Sequence, residues 1–563
     1  MNMKRVRLQR KPGALIVMAL TLLAISACAP TQPVPVNPVE NMPSGTDGKP
    51  WWYDTVFYEV FVRSYYDSNQ DGIGDINGLI NQLDYLNDGD PETSSDLGVH
   101  GLWLMPINPS PSYHGYDITD YYDVNPDYGS LDDFKHLLEE AHQRGIRVLI
   151  DLVINHTSID HAWFQASRDL QSPYRKWYIW SEDNPGYIGP WGEQVWYPAS
   201  GGYYYSVFWS GMADLNYQNP EVTDEAYQIA RFWLQDMGVD GFRLDGVRYL
   251  VEEGKSQADT AANHEWLKAF YQYCKTLNPN ALLIGEVWTS NLTVVSYIND
   301  GNLDLVFNFD LASNILTGVK ERQPREVSNG LFSSSKLFPA GTYATFLTNH
   351  DMNRVMSELG ADLEQAKQAA TLYMTAPGVP FIYYGEEIGM SGKKPDERIR
   401  TPMQWSGGDN AGFSTNKPWE ALQLDYPQVN LAVEADDPTS LWAHYRNLVK
   451  LRNEHVALRL GDYTAMKAGD ESVLAFLRTT PDEQLLVIAN LGSDPVSNYD
   501  LSLESGPLSG SYQPVLLYGT GDLGLVKDVS ILTSSEQGQV EAYQPVAVLQ
   551  PNGSLIFQLR PKK

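Results

Sequence analysis

Cysteine and positive charge are both scarce in this chain of 563 residues. Its two cysteines, Cys28 and Cys274, are too few for a disulfide framework or a cysteine-based zinc site. There are 40 Lys and Arg residues against 70 Asp and Glu residues, which gives a formal net charge of −30. Because such a surface repels phosphate backbones, no nucleic-acid partner is expected.

The N-terminus carries an apolar run, Ala14–Ile25, that follows a basic stretch and is too short for a comfortable membrane span. It ends in ISAC, which resembles the lipobox of bacterial lipoproteins. The resemblance implies a signal peptide over residues 1–27, a lipid on Cys28, and an exported protein held at the cell surface or in the periplasm by that anchor alone. An ordinary cleaved signal peptide is the alternative. Residues 28–50, rich in Pro, Asn and Thr, are predicted to form a flexible tether.

From residue 51 onward, short apolar segments alternate with amphipathic helical patterns such as Leu131–Arg144. This alternation predicts an α/β fold with a parallel sheet covered on both faces, and eight such units predict a (β/α)8 TIM barrel over residues 51–155 and 215–455. The predicted strands are Val56–Arg63, Gly101–Ile107, Arg147–Asn155, Gly241–Asp245, Leu282–Trp288, Leu305–Phe309, Tyr343–Asn349 and Val379–Tyr384.

Two further regions interrupt or follow this pattern. Residues 156–214, dense in Trp and Tyr, are too long for a structureless loop and predict an inserted domain after the third strand, at the face where barrel active sites lie. Beyond about residue 456 the helical periodicity gives way to short alternating runs. Residues 456–563 are therefore predicted to form an antiparallel β-sandwich.

Polar residues cluster where four of the predicted strands end, in the segments DLVINH, GFRLDG, GEVW and TNHD. In a parallel barrel these ends converge on one pocket, where a pair of carboxylates can hydrolyse a glycosidic bond. Arg243 lies two residues before Asp245, so a strand directs both to the same side, where the guanidinium favours an ionised, nucleophilic carboxylate. Glu286 lies beside Val287 and Trp288, and partial desolvation there would raise its pKa toward that of a usable acid.

These four segments, in this order and on these strands, resemble the signature regions of the α-amylase family, glycoside hydrolase family 13, over roughly residues 51–563. The resemblance implies Asp245 as the nucleophile, Glu286 as the general acid/base and Asp351 as the acid that stabilises the oxocarbenium-like transition state. It also implies that the central sugar is bound by Tyr116, His156, Arg243 and His350. Asp151 resembles a structural aspartate of the family and is not expected to be catalytic.

The segment after the first strand, DSNQDGIGD, places oxygen-bearing side chains at alternate positions, as hard Ca²⁺ requires. An EF-hand is excluded because Gly78 occupies the position of its bidentate glutamate; a plain acidic loop is the alternative. Resemblance to calcium-binding family members implies a structural Ca²⁺ held by Asp67, Asn69, Asp71, the Ile73 carbonyl and Asp75. Asn155 resembles a ligand of a second calcium in many α-amylases, but Tyr249 stands where they usually have histidine, which leaves that site open.

The motifs do not decide which α-glucosidic bond is cleaved. Met212–Asn216 (MADLN) resembles the fifth signature of members intermediate between oligo-1,6-glucosidases and neopullulanases. A surface-anchored enzyme meets polymers first, so the leading interpretation is a monomeric, endo-acting α-amylase that cleaves internal α-1,4 bonds of starch and maltodextrins. Asp117 resembles a residue that closes the pocket of exo-acting α-glucosidases, and Asp396 and Arg400 are candidates for contacting sugars further from the cut.

Several alternatives therefore stay open. Within the family they are an exo-acting α-glucosidase or oligo-1,6-glucosidase, a cyclomaltodextrinase or neopullulanase-type enzyme, and a transglycosylase. Outside it they are a catalytically inactive carbohydrate-binding lipoprotein and a structural surface protein. The presence of Asp245, Glu286 and Asp351 together argues for an enzyme, because binding alone does not need all three acids.

Overall fold

The structure is a computed structural model that describes residues 43–562 except 92, 94, 522, 524, 525, 527 and 528. The predicted signal peptide, Cys28 and the tether up to residue 42 lie outside the described residues. No helix within the described part of the chain is long and apolar enough to cross a membrane.

The described residues contain the following strands and α-helices, in chain order. The strands are β1 (Phe57–Val60), β2 (Gly101–Leu104), β3 (Arg147–Leu152), β4 (His156–Ser158), β5 (Trp180–Ser181), β6 (Trp196–Ala199), β7 (Gly202–Tyr205), β8 (Met212–Asp214), β9 (Gly241–Leu244), β10 (Leu282–Gly285), β11 (Leu305–Phe307), β12 (Tyr343–Thr345), β13 (Val379–Tyr383), β14 (Asp462–Met466), β15 (Val473–Thr479), β16 (Gln484–Asn490), β17 (Leu501–Leu503), β18 (Gly510–Gly519), β19 (Leu532–Ser534), β20 (Val540–Tyr543) and β21 (Ser554–Pro561). The α-helices are α1 (Ile76–Asn81), α2 (Leu83–Leu86), α3 (Leu131–Gln143), α4 (Ala162–Ser167), α5 (Pro220–Arg231), α6 (Ala261–Leu277), α7 (Asn291–Asn299), α8 (Phe309–Lys320), α9 (Pro324–Leu337), α10 (Val355–Glu358), α11 (Leu363–Thr375), α12 (Asp396–Ile399), α13 (Leu431–Glu434), α14 (Leu441–Glu454) and α15 (Val456–Leu460).

The predicted barrel is confirmed. Strands β1, β2, β3 and β9 to β13 close on one another in the order β1-β13-β12-β11-β10-β9-β3-β2, and every neighbouring pair is parallel. Each strand lies inside the segment predicted for it. The strands are short, apolar and buried, because helices cover the outer face and side chains fill the interior.

The interior of the barrel is layered. Its floor is aromatic: the rings of Phe57 and Phe381 stack at 4.4 Å, and Trp103 and Phe307 pack beside them. Side chains two residues further along each strand point the same way, one layer nearer the C-terminal face. On β1 that residue is Glu59, and polar side chains on other strands occupy the same level. The apolar floor thus supports a polar layer above it.

The inserted domain runs from β4 to β8, as the sequence predicts. Strand β4 pairs with β8, and β5, β7 and β6 form a small antiparallel sheet. Its own core is built on Val195, Trp196, Tyr205, Val207 and Tyr249. Because β4 begins at His156, directly after a barrel strand, this domain stands at the C-terminal mouth of the barrel.

The C-terminal domain is the predicted antiparallel sandwich. A six-stranded sheet, in the order β14-β15-β16-β21-β18-β19, packs on the two-stranded sheet β17-β20 around a separate apolar core. Helix α15 precedes its first strand, which begins at Asp462.

The chain before the barrel shows one difference from expectation. The Arg147 guanidinium donates to the Pro43 carbonyl at 3.2 Å, and the Thr46 N–H donates to Asp54 at 2.6 Å. Residues 43–50 are therefore part of the folded domain, and the predicted tether boundary at residue 50 is wrong because this segment finds hydrogen-bond partners on the barrel.

Candidate active site

Arg243 forms the centre of the polar layer. Its guanidinium is 1% exposed, and its Nη1 donates to Asp151 at 2.6 Å and to Asp245 at 2.8 Å. Its Nη2 donates to Glu286. Strands β3, β9 and β10 are neighbours in the barrel, so three consecutive strands each bring one carboxylate to the same cation.

The surroundings of Glu286 raise the pKa of its carboxyl group. Its pKa is raised to about 7, because burial and the charges of Asp245 and Asp351 outweigh the opposing charge of Arg243. About a fifth of the side chain is exposed (19%), so a substrate atom can reach it. Burial likewise raises the pKa of Asp151 to about 6, against the Arg243 charge. Asp151 is 0% exposed and holds Arg243 and Tyr116 in place, as expected of a structural acid.

Asp351 faces this group with cations of its own. It follows β12, and its carboxylate accepts from Arg400 Nη2 at 2.8 Å and lies 3.2 Å from His350 Nε2. Burial would raise its pKa, but His350, Arg400 and Arg243 together hold the pKa well below its usual range. Asp351 is therefore a permanent negative charge, 31% exposed at the cleft.

Aromatic and imidazole rings lie between the acids. The Tyr116 ring lies nearly parallel to that of His350, with centroids 5.7 Å apart, and its hydroxyl donates to Asp151 at 3.1 Å. Nε2 of His156 donates to the Tyr116 carbonyl oxygen at 3.0 Å, and burial lowers the pKa of His156. The structure thus places Tyr116, His156, Arg243 and His350 around one centre.

Of the three predicted outer contacts, Asp396 and Arg400 contact each other, with 3.3 Å between Oδ2 and Nη2. Asp117 is buried and accepts from the hydroxyls of Ser110, at 2.6 Å, and Ser112. Asp396 is partly exposed and contacts Lys394. Arg400 is only 3% exposed and donates to the His350 carbonyl at 2.9 Å as well as to Asp351. It lies behind Asp351, because the loop after β13 folds back over the barrel, and its contact with sugars further from the cut stays a prediction.

Two residues that contact this site were not predicted from the sequence. Glu59 is 2% exposed and bonds to Nδ1 of His350, and Trp103 packs its ring against both Arg243 and His350. An acid within the apolar strand FYEV was the available signal for Glu59, since an ionisable group in a buried strand needs a partner.

The loop from Asp67 to Asp75 is closed by its own oxygen acceptors. Asp67 accepts from the N–H groups of Gln70 and Gly72, at 2.7 and 2.8 Å, and Asn69 accepts from Asp71 at 2.9 Å. Within the described residues no three His, Cys, Asp or Glu groups form a metal-binding cluster. The oxygen-only donor set nevertheless fits a hard cation such as Ca²⁺ in its chemistry.

Asn155, considered for a second calcium, lies between barrel and inserted domain. Its Nδ2 donates to Asp214 at 3.2 Å, and its Oδ1 is buried without a hydrogen-bond partner. Tyr249 packs in the core of the inserted domain.

Two sequence profiles match the chain. The α-amylase catalytic domain matches residues 59–461, and the α-amylase C-terminal all-beta domain matches residues 463–560. Together they span the barrel, the inserted domain and the sandwich described above.

Individual proteins agree with these matches. Alpha-amylase 3 of Dictyoglomus thermophilum is 41% identical over 450 residues, 79% of this chain and 86% of that protein. An oligo-1,6-glucosidase of Parageobacillus thermoglucosidasius is 33% identical over 516 residues, 78% of this chain and 90% of that protein. The crystal structure of an alpha-amylase from H. orenii superimposes with a TM-score of 0.78 at 41% identity, covering 90% of this chain and 99% of that one. The chain therefore belongs to the α-amylase family of glycoside hydrolases, family 13.

Proposed function

We propose that this glycoside hydrolase is an endo-acting α-amylase that cleaves internal α-1,4-glucosidic bonds of starch and maltodextrins with retention of configuration. The observation that carries the retaining chemistry is the attachment of Asp245 and Glu286 to one guanidinium, that of Arg243. The 41% identity to proteins named alpha-amylase supports the choice of internal α-1,4 bonds. A retaining enzyme needs its two carboxyl groups about 5–5.5 Å apart, and a shared planar cation keeps two carboxylates at short range.

The first half of the reaction forms a covalent glycosyl-enzyme. Asp245 attacks the anomeric carbon while Glu286, protonated below about pH 7, gives its proton to the departing glycosidic oxygen. The bond to the leaving chain breaks as the bond to the Asp245 oxygen forms. Glu286 then takes a proton from water, and that water displaces Asp245 to release the sugar with its original configuration.

The remaining residues bind the sugar and stabilise its positive charge. Asp351, kept ionised by His350 and Arg400, lies where an oxocarbenium-like transition state develops charge. The Tyr116 ring offers a face for the sugar ring to stack on, and His156 and His350 supply hydrogen bonds to its hydroxyls.

The proposal is tested by the products formed from soluble starch and from isomaltose, using protein that lacks residues 1–28. Early release of mixed maltooligosaccharides with isomaltose untouched is the expected result. Glucose alone, with isomaltose consumed, would show an exo-acting enzyme instead. The Glu286→Gln variant, which keeps the shape of the site, is the control for contaminating activity.

A second candidate is the exo-acting α-glucosidase or oligo-1,6-glucosidase. The similarity to a protein named oligo-1,6-glucosidase favours it, but that identity is 33% against 41% for the proteins named alpha-amylase. Asp117 is the residue that would close an exo-acting pocket. Its carboxylate accepts hydrogen bonds from two serine hydroxyls. Neopullulanase-type action and transglycosylation would appear in the same product analysis as panose-type or transfer products. A non-catalytic carbohydrate-binding protein would give no products.

We further propose a structural Ca²⁺ held by Asp67, Asn69, Asp71, the Ile73 carbonyl and Asp75. The carboxylate and amide oxygens gathered in this loop support it, and a bound ion would offset the mutual repulsion of the three acids. EDTA is expected to lower the melting temperature, because an ion that binds only the folded state stabilises it. An Asp71→Asn variant should show a smaller shift. An unchanged melt, with no metal found by elemental analysis, would remove the site.

We also propose that the mature protein is a monomer anchored by a lipid on Cys28 and exported to the cell surface or periplasm. The lipobox-like ISAC sequence supports this. The Cys28→Ser substitution is expected to move the protein from the membrane fraction to the soluble fraction. Retention of the variant in washed membranes would contradict the anchor.

A further inference from the structure

Glu59 is a buried carboxylate for which the reaction described above has no role. On β1 it lies one layer above Phe57 of the aromatic floor, opposite Trp103 on β2 and Tyr383 on β13. Its side chain is 2% exposed and accepts from Nδ1 of His350. A carboxylate buried this deeply in an apolar strand is costly unless a cation compensates it.

The contacts of His350 favour a hydrogen on each ring nitrogen. Nε2 lies 3.2 Å from the carboxylate of Asp351, which can only accept, and 2.7 Å from the Tyr116 hydroxyl oxygen. With the Tyr116 hydrogen directed to Asp151, at 3.1 Å, both neighbours of Nε2 are acceptors, and Nε2 is the donor. On the other side of the ring the Glu59 carboxylate can only accept, so Nδ1 donates too. An imidazole that donates at both nitrogens is an imidazolium.

The charges around the ring favour the same state. Glu59 faces it from β1, Asp351 from its own segment and Tyr116 from the loop after β2, while Arg400 binds the His350 backbone carbonyl. Asp151 and Glu286 are near enough that the charge of His350 lowers their pKa values, and Arg243 contacts the Tyr116 hydroxyl at 3.4 Å. Burial lowers the pKa of His350, but the charges of Asp351 and Glu59 outweigh burial and raise the pKa to about 10.

We propose that Glu59 is a positioning residue: by accepting from Nδ1 it holds His350 as an imidazolium whose Nε2–H points toward Asp351 and the bound sugar. Asp351 has Arg400 as a second cationic contact, whereas the cationic contact of Glu59 is His350. The two carboxylates therefore have different roles. Glu59 keeps the proton on the ring, and Asp351 faces the substrate. The proposal rests on the proposed glycosidase site but not on which glucosidic bond is cleaved.

The first test measures the charge of His350 in the unaltered protein. Imidazole ¹⁵N shifts are recorded at about pH 8, where an ordinary histidine is neutral, and the His350 signals are assigned by their loss in a His350→Gln variant. Two protonated-type nitrogens are expected for His350. One protonated and one bare nitrogen would overturn the proposal without reference to any substrate or variant activity.

The second test asks whether Glu59 is responsible. Glu59→Gln keeps an acceptor for Nδ1 but removes the charge, so His350 should lose its proton at lower pH. The ratio of variant to wild-type kcat/KM is then expected to fall about tenfold or more between acid and alkaline pH. Glu59→Asp, which restores the charge, should give a ratio that is flat with pH even if activity is lower.

The matched control is Glu387→Gln. Glu387 is another fully buried glutamate at the barrel, and it accepts from the hydroxyls of Tyr58 and Tyr85 rather than from His350. Its substitution tests the cost of losing a buried carboxylate, and its activity ratio should not vary with pH. A flat ratio for Glu59→Gln, or an equal slope for Glu387→Gln, would reduce Glu59 to a packing residue. If starch proves not to be the substrate, the same ratios are measured on the sugar that is cleaved.

Discussion

Glu286 and Asp351 face each other across one cleft, yet their protonation is opposite. Burial acts to raise both pKa values, but that of Glu286 is raised to about 7 while that of Asp351 lies below its usual range. The difference lies in how many cations each one has. Glu286 shares Arg243 with Asp151 and Asp245, whereas Asp351 has Arg400 and His350.

Burial alone therefore does not determine which carboxyl group of this site is the acid and which is the permanent anion. One guanidinium divided among three carboxylates leaves a surplus of negative charge, which is relieved by keeping a proton on Glu286. Asp351 contacts two cations, although Arg400 also contacts Asp396 and His350 also contacts Glu59, and these cations hold the pKa of Asp351 below its usual range. The cleft therefore holds two carboxyl groups whose surroundings move their pKa values in opposite directions.

Removing either carboxyl group of the catalytic pair should have the largest effect. Glu286→Gln is expected to lower kcat by about 10³-fold or more, because the leaving oxygen then departs unprotonated, and Asp245→Asn should be at least as severe because no covalent intermediate can form. Steady-state kinetics on starch and on an activated aryl glycoside measure both. Rescue of Glu286→Gln by the activated leaving group, but not of Asp245→Asn, would confirm the separate roles. Near-normal starch hydrolysis by either variant would sink the assignment.

The second-largest effect is expected when Asp351 loses one of its two cationic contacts. Arg400→Met removes one of its two cations, so the pKa of Asp351 should rise and the acidic limb of kcat/KM should move to higher pH. A loss of about 10²-fold at neutral pH is expected, with a smaller loss for Arg400→Lys, which keeps the charge but not the two-pronged contact. An unshifted acidic limb in Arg400→Met would mean that His350 alone keeps Asp351 ionised.

The smallest effect needs no substitution. Glu286 must carry its proton to act as an acid, and its pKa is raised to about 7, so kcat/KM should fall as pH rises through that value. The activity is measured from acid to alkaline pH at constant ionic strength. A plateau that extends well beyond neutral pH would show that the surplus negative charge around Glu286 is greater than its contacts indicate.

Much of the fold and the central site could be predicted because both depend on local patterns. Apolar segments that alternate with amphipathic helices predict a parallel barrel, and motifs at the strand ends must meet at its mouth. Asp245 and Arg243 are two residues apart on one strand, so their contact follows from strand geometry alone.

What the sequence could not predict has a common physical cause. Three contacts could not be predicted, because each joins distant parts of the chain: Arg400 with Asp351, Glu59 with His350, and Pro43 with Arg147. Arg400 reaches Asp351 across 49 residues, and Glu59 reaches His350 across 291. No local pattern reports such a pairing.

The sequence by itself determined the barrel, its inserted and C-terminal domains, and the identity of the residues at the strand ends, since strand and helix periodicities are set by neighbours along the chain. Only the tertiary structure decided which carboxylate shares a cation and which has two, and hence which one carries a proton at neutral pH. Coulomb interactions depend on distances in space, and closure of the barrel brings Glu59, Arg243, His350 and Arg400 within reach of the acids whose charge they control.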